Sequence, residues 1–136
     1  MTNNSLIYLA TTTSTAVSQN ALLPLTQIVR RRNCLIEPLN NAILLKGTGY
    51  YKISITATFT GQAAGVATIK AQQNSIDIVG ATASTTITTA TTEVRSLSYD
   101  FIVRVPCSAV PSTIQFVNSG IDITTSNIAV SVEYLS

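Results

Sequence analysis

The sequence predicts an all-β domain, an antiparallel sandwich or barrel, on three observations. Apolar and polar residues alternate with a period of two along most of the chain, which places successive side chains on opposite faces of a strand. Helical spacing sustained over three turns is absent. At least eight such runs fall within 136 residues, divided by Gly, Asn, Ser and Pro. That length fits one domain, residues 1–136, able to bury roughly two thirds of its unfolded surface.

Residues 6–12 are the first short candidate strand, and residues 1–20 as a whole are read as an N-terminal strand or anchoring arm. Further short candidates are residues 25–31, 34–37 and 42–46. The clearest strand follows in "GTGYYKISITATFTG", residues 47–61. There Tyr51, Ile53, Ile55, Ala57 and Phe59 share a face that should close a core, and Tyr50, Lys52, Ser54, Thr56, Thr58 and Thr60 share the other. Gly47, Gly49 and Gly61 punctuate its ends. Residues 65–72, 75–79 and 85–89 are read as three shorter strands. The Thr-rich run "ATASTTITTATTE" at 81–93 is expected to be a loop with an exposed edge strand, because β-branched Thr favours extended backbone. A flat Thr array able to bind ice is the other reading, but the spacing it needs occurs only locally.

In "EVRSLSYDFIVRVP", Leu97, Tyr99, Phe101, Val103 and Val105 oppose Ser96, Ser98, Asp100, Ile102 and Arg104. Pro106 cannot donate to a ladder and should end this strand. Residues 113–118 form another candidate. The run "NIAVSVEYLS" then sets Ile128, Val130, Val132 and Tyr134 against Ala129, Ser131, Glu133 and Leu135.

Composition narrows the function. Charged residues make up 10% of the chain, the formal net charge is +2 and 46% of residues are hydrophobic. Neither disorder nor nucleic-acid binding is indicated, and no run reaches the roughly 18 apolar residues of a membrane span. The start, "MTNNSLIYLATTT", has no Lys or Arg before its apolar residues and does not read as a secretory signal. A soluble product leaving the cell by lysis or within a particle is expected. Histidine is absent, which removes the commonest general base and metal ligand. The six carboxylates are scattered, so no acid and base pair for glycoside hydrolysis stands out. No dense Asp/Asn/Gly run suits calcium, and no glycine loop cradles phosphate. The expectation is a protein that is not an enzyme and uses no cofactor. Asn3-Asn4-Ser5 matches a glycosylation acceptor, without meaning unless the chain is exported.

Two features stay open to alternatives. Cys34 and Cys107 are the only cysteines; they can pair, but in a reducing cytoplasm two separate buried thiols are expected. Arg30, Arg31 and Arg32 are the only charge cluster, and on a strand only Arg30 and Arg32 share a face. They are candidates for docking an acidic partner such as a capsid surface, or an anionic glycan, against the simpler reading of an exposed strand.

The order of these elements resembles a known architecture. "ILLKGTG" runs into "YYKISITATF", then a turn-rich section, a long "LSYDFIVRV" strand and a final strand at the end of the sequence. This is similar to the jelly roll of tumour necrosis factor and the globular heads of complement, with Gly49-Tyr50-Tyr51 as the best motif. The resemblance covers residues 35–136 and implies a jelly-roll sandwich of eight to ten strands that forms a homotrimer. It further implies an interface built from Tyr50, Lys52, Ser54, Asp100, Ile102, Ala129, Ser131, Glu133 and Leu135; across it Lys52 is expected to meet Asp100 or Glu133, because an unpaired buried charge is costly. The whole sequence, including "LPLTQIVRRRNCLIE" and "IVRVPCSAVPSTIQFVNSG", also resembles small proteins encoded among the virion genes of phages and prophages of Gram-positive bacteria. That second resemblance implies a decoration, head-fibre or attachment component, located in the virion and bound to a capsid or tail protein, with a host surface glycan as a further partner. The alternative is a carbohydrate-binding or adhesion head outside any virion.

Overall fold

The computed structural model describes residues 5–32 and 35–136. Their strands are β1 (Leu6–Thr11), β2 (Thr15–Val17), β3 (Gln27–Arg32), β4 (Ile36–Leu39), β5 (Ala42–Leu45), β6 (Gly49–Gly61), β7 (Gly65–Gln73), β8 (Ile76–Ile87), β9 (Val94–Val105), β10 (Ser112–Asn118) and β11 (Ile123–Tyr134). Ten of them form two five-stranded antiparallel sheets, ordered β3-β1-β11-β6-β9 and β4-β5-β10-β7-β8, while the short β2 pairs with β11. The chain alternates between the two sheets, as in a jelly roll, so the expected sandwich architecture is present.

The core lies between the sheets and follows the alternation. Tyr51, Ile53 and Phe59 on β6 are fully buried, as are Val130 on β11, Ile69 on β7 and Phe116 on β10. Burial of that apolar surface is the main driving force for holding the layers together. Phe101 meets Phe116 edge-on across the layers, with ring centroids 6.1 Å apart. Tyr99 also spans them, donating its hydroxyl hydrogen to the Ile69 carbonyl at 3.2 Å. Its desolvation pushes the phenol well above the ordinary tyrosine range, so it stays a donor. Leu23, fully buried, pins the β2–β3 connection by donating its N–H to Phe116 O at 2.8 Å.

Several expectations shift. The two candidate strands at 75–79 and 85–89 are one strand, β8, which passes through Gly80 at φ +83°. Its pairing with β7 slips near Ala71, so residues 78–81 bulge out of the ladder and interrupt the alternation. The Thr-rich run does form an exposed edge strand and loop, with β8 last in its sheet. Cys107 is free and exposed, which corrects the buried-thiol expectation. It opens a single 3-10 turn, Cys107–Ala109, formed once Pro106 has ended β9, so it has left the core layer. Cys34 lies outside the described residues, as do residues 1–4 of the expected N-terminal arm.

Candidate functional site

Pairing registers place side chains of the first sheet's outer face in rows across five strands. One row reads Arg32, Leu6, Glu133, Lys52, Ile102 from β3 to β9; the next reads Arg30, Tyr8, Ser131, Ser54, Asp100. A third reads Gln27, Ala10, Ala129, Thr56, Ser98. Beyond the first row, Tyr50 stands opposite Arg104, and Leu135 joins by donating its N–H to Tyr50 O at 2.8 Å. All nine expected interface residues therefore share this face, and Arg30 and Arg32 share it too. Arg31 points the other way, toward Glu37 at 3.9 Å.

Small side chains shape the middle of the face. Ser54 and Ser131 lie between the longer Tyr8, Lys52 and Glu133, leaving a hollow of about 240 Å³. A second, of about 320 Å³, runs along Lys52, Asp100 and Ile102. Around them stand exposed apolar groups: Ile102 is 59% exposed, Tyr50 46%, Leu135 42% and Tyr8 39%. Toward the other end the face turns neutral, with Thr58 and Ser96 hydroxyls 3.0 Å apart.

The charges divide sharply. Elsewhere on the chain Glu37 meets Lys46 at 3.4 Å as well as Arg31, Asp77 meets Lys70 at 3.2 Å, and Glu93 meets Arg95 at 2.8 Å. Asp122 accepts the Gln19 N–H at 2.8 Å. The Glu93 carboxyl, which also accepts the Thr88 hydroxyl and N–H, is held down at about 2 by those bonds and by Arg95. The six remaining charged side chains, Arg30, Arg32, Lys52, Arg104, Asp100 and Glu133, enter no ion pair among the described residues, and all six lie on the face just described. Together they carry +2, the formal net charge of the whole chain.

This arrangement suits recognition by surface contact. Mixed charges ringing apolar groups and shallow hollows can register a partner, whereas the face has no nucleophile held beside a base. Among the described residues, no group of three or more Cys, Asp or Glu is placed to hold a metal ion. No helix of the described residues is long and apolar enough to cross a membrane. The sequence reading missed Leu6 and Tyr8 and kept the arginines apart from the interface. The alternation in "LIYLA" was the available signal, but only the β1–β11 and β1–β3 pairings bring those residues here.

No protein-family model matches the sequence, and no curated protein matches it. Solved structures do. The Eiger TNF from S. frugiperda is similar at TM-score 0.74 and 10% identity, over 99% of this chain and 94% of its own. The globular domain of the zebrafish complement 1qA protein is similar at TM-score 0.67 and 9% identity, over 96% of each. The PRD1 vertex protein P5 is similar at TM-score 0.64 and 16% identity, over 97% of each. With two antiparallel sheets in this order and these likenesses over nearly its full length, the chain has the tumour necrosis factor-like jelly-roll fold.

Proposed function

We propose that this chain is a non-enzymatic structural protein of a phage particle, a homotrimer acting as a decoration, head-fibre or attachment component. The observation that carries the reading is the gathering on one sheet face of six charged side chains that enter no ion pair among the described residues, with Tyr8, Tyr50, Ile102 and Leu135. A chain so poor in charge leaves them exposed together at a place where another surface can satisfy them. The interface comprises Tyr50, Lys52, Ser54, Asp100, Ile102, Ala129, Ser131, Glu133 and Leu135, with Lys52 and the carboxylates Asp100 and Glu133 near the contact. Likeness in fold to a vertex protein, PRD1 P5, supports a place on a particle. Capsid or tail protein is the expected partner beside the second and third copies, and a host surface glycan the expected ligand. Mass spectrometry of purified particles tests the reading, because the protein must co-purify with them; its absence sinks the virion role.

A carbohydrate-binding or adhesion head outside a virion is the second reading. A hollow of about 360 Å³, lined by Gln73, Asn74, Asp77 and Arg104 among others, favours it through polar groups suited to sugar hydroxyls. A glycan array separates the two when combined with the particle assay.

A further inference from the structure

We infer that adjacent copies in the trimer are registered by an ion pair between Asp100 of one copy and Arg30 of the next. This inference rests on the trimer reading and names the contact that sets its geometry. Asp100 and Arg30 stand at opposite ends of one row, Arg30-Tyr8-Ser131-Ser54-Asp100. Four strand spacings separate them, about 19 Å, so they cannot meet within one chain. Glu133, by contrast, stands in register with Lys52 of its own sheet, though the two form no ion pair, whereas Asp100 stands opposite the neutral Ser54.

A threefold axis along the strands leaves each row at its own height and carries the β9 end of one sheet toward the β3 side of the next. The contact is then heterologous, one patch against a different one, as a closed ring requires. At the height of the second row the acid Asp100 comes against the base Arg30. At the height of the first, Ile102 comes against Leu6 and Arg32, beside the hollow floored by Ser54 and Ser131. A guanidinium facing a carboxylate at such a rim gives direction to assembly, while equal rotation makes three pairs per ring. A slip of two rows would instead set Arg104 against Arg30, like charge on like.

The test is a charge swap in the full-length chain, using Arg30→Glu, Asp100→Arg and the double variant, with circular dichroism confirming the fold of each. Sedimentation velocity across a dilution series gives the concentration at which trimer dissociates. Each single reversal is expected to raise that concentration roughly tenfold or more, since three pairs are lost and like charges meet. The double variant is expected to return to near the unmodified protein. If the unmodified protein is trimeric and the double variant dissociates as readily as the worse single one, the pairing is overturned while the trimer stands. If the unmodified protein is itself monomeric, both the pairing and the trimer reading fall.

Discussion

Gly49 opens the central strand and can be tested against Gly80, a second positive-φ glycine whose missing Cβ faces open space. Both Gly49 and Gly80 have positive φ, +138° and +83°, where any other residue is strained. A Cβ built on Gly49 lies 2.5 Å from Ser136 O and 2.6 Å from the Tyr134 ring; one built on Gly80 has nothing within 4 Å. Gly80→Ala should therefore cost only the backbone strain, about 1.5 kcal/mol. Gly49→Ala adds displacement of the end of β11, for about 4 kcal/mol in all. For a chain of 136 residues, unfolding entropy of about 2.1 cal/mol/K per residue makes each kcal/mol worth about 3.5 °C. The expected losses in Tm are then about 5 °C for Gly80→Ala and about 14 °C for Gly49→Ala, by calorimetry at matched protein concentration. Equal losses, or a smaller one at Gly49, would refute the claim that the Gly-Tyr-Tyr opening is held against the last strand. Because Tyr50 and Leu135 sit at that junction, Gly49→Ala should also loosen self-association more than Gly80→Ala does.

Two more outcomes follow from single sites. Asn118 is fully buried, donating from Nδ2 to Val17 O at 3.1 Å and Ile121 O at 2.8 Å while accepting the Gly120 N–H at 3.1 Å. Asn118→Asp sets an oxygen against two carbonyls, and urea unfolding should show a loss of about 4 kcal/mol, where a loss below about 1 kcal/mol contradicts the role. Glu93 has a lowered pKa, so its contribution is fully present above the unfolded value of 4.5 and disappears as pH falls toward about 2. Between pH 5 and about 2, Glu93→Gln should therefore flatten part of the acid-induced loss of stability, and an unchanged slope there contradicts the Thr88-Glu93-Arg95 arrangement.

Legibility from sequence followed the range of the forces involved. The faces of β6, β9 and β11 were readable because alternation is local, and Tyr51, Ile53, Phe101, Val103, Val130 and Val132 are buried as their spacing implies. Bulges were not readable: the pattern suggested separate strands at 75–79 and 85–89, yet β8 runs through both because the edge position lets residues 78–81 leave the ladder. The three residues of β2 are too few to show a period. Exposure of Cys107 depends on what packs over the turn after Pro106, which its neighbours in sequence do not state. The same limit explains the candidate site. The alternate pointing of Arg30 and Arg32 was visible, but their joining Lys52, Asp100 and Glu133 on one face requires β3, β1, β11, β6 and β9 to pair in that order. The separation of paired from unpaired charges appears only in three dimensions, since partners such as Lys70 and Asp77 or Lys46 and Glu37 must first be brought together.

On the trimer reading, the outer face of the β3-β1-β11-β6-β9 sheet binds further copies of the same chain in a closed ring of three. Sedimentation velocity or mass photometry of the purified protein at micromolar concentration measures this directly. A single species of three 14.4 kDa chains is expected, dissociating when Ile102 and Lys52 are both replaced by charges of reversed or added sign. A stable 14.4 kDa monomer under the same conditions would contradict it.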